Sequence, residues 1–232
     1  MIDLALVWVG IIGLGVLIYV VMDGFDLGIG ILFPFMNGTQ ERDVMMNTVA
    51  PVWDGNETWM VLGGAGLFAA FPLVYSTVLS ALYLPIIFMV VALIFHGVAF
   101  EFRFKATRTK YLWDLAFIWG SILSSFFQGV ILGAYIQGIQ TTNGIYSGGG
   151  WDWFTPFTCF TGLGVVVMYA TLGCGWLIWK TEKEIQQRMF HLMPRLIIAL
   201  LIIFGAVSLY TPLTHPEIAQ RWFSLPNLYY FS

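Results

Sequence analysis

The chain has 232 residues, of which 59% are hydrophobic and 10% are charged, with a net charge of −3. Soluble domains carry about 25% charged residues, so this composition excludes a soluble globular protein. It indicates an all-α polytopic membrane helix bundle, and the lack of a basic patch argues against a nucleic-acid partner. Asp3 stands where a secretory signal would be basic, so no cleavable signal peptide is expected.

Six apolar segments are predicted to span the membrane, since about 20 apolar residues suffice for each span. Their approximate bounds are 4–36, 53–71, 74–100, 112–138, 154–179 and 192–211. Between the first two lies a polar connection, 37–52, with an amphipathic middle. Pro72 predicts a tight turn, and Pro85 predicts a kink within the third span.

These segments suggest three parts. A first four-helix membrane bundle would cover 1–138, an outer loop 139–153, and a partial second bundle of two helices and an aromatic tail 154–232. Loops 101–111 and 180–195 are rich in lysine and arginine, whereas loop 139–153 has neither. The positive-inside rule therefore places the first two loops in the cytoplasm and the N-terminus on the outer side.

The first span contains the sequence DGFDLGIG at residues 23–30. Asp23 and Asp26 interrupt an apolar run there and, being three residues apart, share one helix face. Ionisable residues inside a bilayer are costly and usually functional. Gly24 and Gly28 form a small-xxx-small pair, which predicts close approach of another helix.

Three further acids are predicted on the cytoplasmic side. Asp54 and Glu57 begin the second span in WDGNETW, and Glu101 follows the third span. Burial in a low dielectric favours the neutral form of a carboxyl group, so clustered acids can hold and pass protons. The predicted proton path therefore comprises Asp23, Asp26, Asp54, Glu57 and Glu101.

Other interpretations of these residues remain open. Asp54 and Glu57 fit helix-start acids equally well, and Glu101 fits an interfacial ion pair with Arg103 or Lys105. Asp114, next to Trp113, is interpreted as a helix-start acid at the membrane interface.

Three histidines raise the question of metal or haem binding. His96, His191 and His215 do not share a helix at ligand spacing, and no His–carboxylate metal signature is present. His96 is therefore interpreted as a hydrogen-bonding residue, and no metal or cofactor is expected on this chain alone.

Four stretches resemble one known family in their residues and in their order along the chain. DGFDLGIG, NTVAPVWDGNETW, GGAGLFAAFP and GVAFEFRFKA are similar to subunit II of the cytochrome bd-type quinol oxidases. WDGNETW and FQGVILGAYIQG resemble the cyanide-insensitive branch of that family. The resemblance covers essentially the whole chain.

The resemblance implies a non-haem subunit that pairs with a haem-bearing subunit I in the bacterial inner membrane. The partner would hold the b- and d-type haems and the quinol site, and the pair would reduce dioxygen to water with protons from the cytoplasm. The five acids named above match the family positions attributed to a hydrophilic proton path. A small accessory subunit, lipids and quinone are further partners compatible with the family.

Two features depart from the family pattern. The family usually has eight spans, so six imply a fragment, a split gene product, or a last helix pair supplied otherwise. His96 stands where the family motif has arginine, which replaces a permanent charge by a titratable one. Two rival functions also remain, an ion-coupled secondary transporter and a purely structural assembly subunit.

Overall fold

The computed structural model describes residues 3–36, 38–214, 216–225, 227 and 229, and not the side chain of Glu217. His215 lies outside the described residues. The helices are α1 Leu4–Leu32, α2 Thr39–Asn47, α3 Trp53–Ala70, α4 Pro72–Arg103, α5 Lys110–Gln137, α6 Pro156–Lys180, α7 Lys183–Thr214 and α8 Pro216–Phe223. A short 3-10 helix, Phe33–Phe35, follows α1. The predicted all-α membrane bundle is confirmed.

Five of these helices, α1, α4, α5, α6 and α7, are long and apolar enough to cross a membrane. The second predicted span, 53–71, forms α3, which is not among the candidate membrane spans of the described residues. Its 18 residues begin with the polar sequence WDGNET, which leaves a shorter apolar stretch. α7 begins at Lys183, well before the predicted residue 192, because the polar sequence that precedes its apolar part is also helical.

Both proline predictions are confirmed. α3 ends at Ala70, and Pro72 is the first residue of α4, where its missing N–H is not needed. Within α4 the backbone leaves the helical region at Leu82, three residues before Pro85. A proline ring clashes with the carbonyl group one turn earlier, which accounts for the kink.

The predicted outer loop contains a small hairpin that the sequence analysis did not foresee. Strand β1, Thr141–Thr142, pairs antiparallel with β2, Ile145–Tyr146. Asn143 and Gly144 connect them with φ values of 54° and 78°. A two-residue turn of this kind needs positive φ at both positions, which asparagine and glycine tolerate. The Asn-Gly pair was the available signal.

The glycine seam, Gly24 and Gly28, packs α1 against α6. A Cβ atom on Gly28 would collide with the backbone of Tyr169 and Gly173 on α6, and one on Gly24 would meet the Tyr169 ring. The predicted close helix approach is confirmed, and α6 is its partner. The larger core draws on α1, α4, α5, α6 and α7, so it includes residues on both sides of loop 139–153. The division into two bundles stays a prediction.

The predicted amphipathic connection forms α2, which closes one end of the bundle. Met45 and Met46 are fully buried, and Trp176 of α6 donates a hydrogen bond to Thr48 at 3.2 Å. Arg188 of α7 pairs with Glu41 at 3.0 Å. We call this the basic end, defined by α2, loop 104–109 and the α6–α7 turn at 181–182. It corresponds to the end predicted to be cytoplasmic.

Candidate functional site

Asp23 and Asp26 are both buried in the C-terminal half of α1, with 3% and 0% exposure. Asn56 on α3 donates a hydrogen bond to Asp26 Oδ2 at 2.8 Å and approaches the Met22 carbonyl oxygen at 3.4 Å. The packing of α1 against α3 thus brings an amide to the carboxyl group. Asn56, itself buried, stands between Asp54 and Glu57 in the sequence and was not predicted as a site residue.

The two acids of α3 are more exposed than this buried pair. Asp54 is exposed and Glu57 is half-buried. Glu57 lies close enough to Asp23, and Asp54 to Glu57, for their charges to interact. The structure therefore brings four of the five predicted acids into one region, ordered from exposed to buried.

Glu101 has a different setting. Its side chain is 64% exposed and pairs at 3.2 Å with Lys105, four residues later in loop 104–109. This is the interfacial ion pair that the sequence left open. Exposed pairs of this type contribute little to stability. Glu101 is therefore an exposed surface acid, unlike the buried Asp23 and Asp26.

The buried pair has unused hydrogen-bonding capacity. Asp23 Oδ2 and Asp26 Oδ1 are both buried and have no hydrogen-bond partner among the described residues. Buried polar atoms are nearly always hydrogen-bonded, so each such oxygen calls for an explanation. A bound proton or an ordered water would supply the missing partner, and both are what a proton-conducting site requires.

A polar chain next to Asp23 was missed by the sequence analysis. Tyr169 of α6 donates to Gln128 Oε1 at 2.6 Å, and Gln128 Nε2 donates to the Tyr19 oxygen at 2.8 Å. Tyr19 lies one turn before Asp23 on α1, and its hydroxyl group interacts with that carboxyl group. The i,i+4 spacing of Tyr19 and Asp23 was the only signal in the sequence.

An ion cluster at the basic end was also missed. Arg103 is fully buried and binds Asp114 through Nε and Asp43 through a 2.5 Å contact from Nη1. Arg42 binds the other oxygen of Asp114 at 2.8 Å, and Lys110 binds Asp43 at 2.9 Å. The cluster joins α2 to the adjacent ends of α4 and α5.

Asp114 has a role in the ion cluster that its interpretation as an interfacial helix-start acid did not include. It does lie in the first turns of α5, but it is 8% exposed and bridges Arg42 and Arg103. Asp43 is outside the predicted spans, and its pKa reflects the same cluster. Partial burial alone would raise the pKa of Asp43, but hydrogen bonds and charges from Lys110 and Arg103 lower it below its usual value.

His96 is a buried hydrogen-bonding residue, as predicted. Its Nδ1 lies 2.8 Å from Ser121 Oγ, and its ring stacks on Phe117 at 4.8 Å. The Ser121 hydroxyl donates to the Phe117 carbonyl oxygen at 2.6 Å, so Ser121 must accept from His96 and the proton is on Nδ1. Within the part of the chain that the structure describes, no three metal-ligating side chains are grouped to hold an ion.

Comparison with known proteins places the chain in one family. The family model for cytochrome bd terminal oxidase subunit II matches residues 4–231. Cytochrome bd-I ubiquinol oxidase subunit 2 of Escherichia coli K12 is 33% identical over 193 residues, which are 80% of this chain and 51% of the relative. Cytochrome bd ubiquinol oxidase subunit 2 of Bacillus subtilis is 31% identical over 197 residues, 82% of this chain and 58% of the relative.

A third relative, the probable cytochrome oxidase subunit 2 of Haemophilus influenzae, is 32% identical over 176 residues, 72% of this chain and 47% of the relative. The chain spans about half the length of the curated relatives it matches. The family match covers all five candidate spans and the whole acidic site. The chain belongs to the cytochrome bd terminal oxidase subunit II family.

Proposed function

We propose that the chain serves as the non-haem subunit of a membrane quinol:oxygen oxidoreductase, a terminal oxidase of aerobic respiration. It pairs with a haem-bearing subunit I, which holds the haems and the quinol site, and stabilises that partner in the bacterial inner membrane. Support comes from the family match and from relatives named as subunits of cytochrome bd ubiquinol oxidase. Assignment to the cyanide-insensitive branch stays a prediction.

Within that complex, the acids form part of a proton-uptake path that opens to the cytoplasm. The observation that carries this proposal is the buried Asp23–Asp26 pair, in which one oxygen of each carboxyl group lacks a partner among the described residues. Asp54 and Glu57 are more exposed and lie beside the pair on α3. Such an order favours proton entry from one side, because solvated acids exchange protons with water and pass them inward.

The proposed orientation follows from charge. Lysine and arginine concentrate at the basic end, which the positive-inside rule assigns to the cytoplasm. The N-terminus and the β1–β2 hairpin then lie on the outer side. Glu101 belongs to this path as an exposed acid at its cytoplasmic rim. Lipids, quinone and a small accessory subunit are further proposed partners.

One purification tests both parts of the proposal. When the chain is co-expressed with its proposed partner, subunit I, the purified complex should show haem absorbance and quinol-dependent oxygen uptake. Asp23→Asn and Asp54→Asn should keep the haem spectrum but lower turnover about tenfold or more. Proton transfer by a positioned side chain contributes roughly 10²–10⁴-fold to a reaction rate. Asp152→Asn, in the outer loop, is the control and should be active.

The outcomes separate the candidate functions. A purified complex without haem would contradict the oxidase assignment and favour a transporter. Full activity in both Asp23→Asn and Asp54→Asn would leave only a structural assembly role. Loss of the partner subunit in either variant would show that the acid serves folding and not proton transfer.

A further inference from the structure

Three polar side chains from three helices form a hydrogen-bonded chain that ends beside Asp23. Tyr169 comes from α6, Gln128 from α5, and Tyr19 and Asp23 from α1. Tyr169 is 1% exposed, Tyr19 6% and Asp23 3%, whereas Gln128 is half-buried, so water competes little at the two tyrosines and at Asp23. Gln128 also donates to Ser124 Oγ at 3.2 Å, which fixes its amide within α5.

All the donors in this chain point the same way. Tyr169 gives its hydroxyl hydrogen to the Gln128 carbonyl oxygen, and the Gln128 amide gives a hydrogen to the Tyr19 oxygen. The Tyr19 hydroxyl hydrogen is then left for the acceptor beside it, the Asp23 carboxyl group. Hydrogen bonds aligned in one direction polarise one another, so the last donor is strengthened.

The polar chain is satisfied along its length and open at one atom. Burying a polar group is unfavourable unless the group is hydrogen-bonded. Apolar side chains would therefore pack α1, α5 and α6 together at a lower cost than these three polar ones. Asp23 Oδ2 is the atom of this chain with no hydrogen-bond partner among the described residues. The arrangement therefore occupies one side of the carboxyl group and leaves the other oxygen free to exchange a proton.

We propose that Gln128 and Tyr19 are positioning residues for Asp23, with Tyr169 orienting Gln128 from α6. They hold the carboxyl group in one rotamer and supply a donor to it, so that Oδ2 faces the path. This inference rests on the proposed role of Asp23 in proton uptake. It adds α5 and α6 to a site that the sequence assigned to α1, α3 and α4.

The test uses the assembled complex purified with its partner. Tyr19→Phe removes a single hydroxyl group, and Gln128→Met keeps the side-chain length without its hydrogen bonds. Both variants should retain the haem spectrum, lose about fivefold to about tenfold in turnover, and shift the pH profile of turnover. Tyr135→Phe, at an exposed tyrosine of α5, is the matched control and should match wild type in both measurements.

Two further measurements keep this inference separate from the proposed function. The infrared carbonyl band of the Asp23 carboxyl group is identified as the band that disappears in Asp23→Asn. This band should shift in Gln128→Met, even if turnover does not change. Combining Gln128→Met with Asp23→Asn should lower turnover no further than Asp23→Asn alone, because both changes act through one group.

Several results would overturn the positioning role. These are an unmoved infrared band, an unchanged pH profile in Tyr19→Phe, or multiplicative losses in the double variant. If Gln128→Met does not assemble, Tyr19→Phe decides the question, since it removes one oxygen atom only. Normal turnover in Asp23→Asn would instead contradict the proton role, while the infrared band still tests the positioning.

Discussion

Replacing Arg103 by methionine is expected to destabilise the folded chain by about 3–5 kcal/mol. Arg103 is 0% exposed and is the shared partner of Asp43 and Asp114, so its loss leaves a buried carboxylate with less compensation. It also lies over the Phe33 ring at 5.4 Å, a contact that methionine would only partly replace. Thermal unfolding of the purified complex, followed by loss of the haem spectrum, measures the change.

Matched variants give this prediction its controls. Arg108→Met, at an exposed arginine of loop 104–109, should change stability by no more than about 0.5 kcal/mol. Arg103→Lys should lie between wild type and Arg103→Met, because lysine keeps the charge but cannot bind two carboxylates with a planar fork. Adding Asp114→Asn to Arg103→Met should recover part of the loss. Wild-type stability in Arg103→Met would contradict a structural role for the cluster.

A single methyl group added at Gly28 is expected to separate α1 from α6. The Cβ atom of alanine would lie 2.8 Å from the Gly173 backbone nitrogen and closer still to the Tyr169 carbonyl oxygen. Backbone atoms cannot rotate away as a side chain can, so the helices themselves must shift, at a cost of about 3 kcal/mol. Gly28→Ala should therefore reduce the amount of assembled complex and its unfolding temperature.

The same helix offers a control for Gly28→Ala. A methyl group added at Gly10 or Gly13 would have no heavy atom of another described element within 4 Å. Gly10→Ala should therefore be neutral or slightly stabilising through helix propensity. The shift between α1 and α6 should also disturb the Tyr169–Gln128 contact and lower turnover in the complex that survives. Equal stability of Gly28→Ala and Gly10→Ala would show that the seam is not tightly packed.

Local sequence determined most of the secondary structure. Apolar runs longer than a bilayer is thick predicted the five spanning helices within a few residues at most ends, and Pro72 and Pro85 predicted a turn and a kink. The start of α7 was placed too late, because hydropathy follows the apolar stretch and not the helix. The motifs DGFDLGIG and WDGNETW also identified the family, because each is a continuous stretch that can be recognised from the sequence alone.

The surroundings of each charge were decided only by the tertiary structure. The sequence placed Asp23 and Asp26 inside an apolar run but left the setting of the other three acids open. Packing of α1 against α3 and α6 buries Asp23 and Asp26, whereas Glu101 is exposed. The contact between Gln128 and Tyr19 joins residues 109 positions apart, and that between Arg103 and Asp43 joins residues 60 apart. Such pairs depend on how helices cross, which hydropathy and periodicity do not encode. The sequence by itself therefore determined the helices, the family and the candidate acids, whereas helix packing decided which acids are buried and which partners hold them.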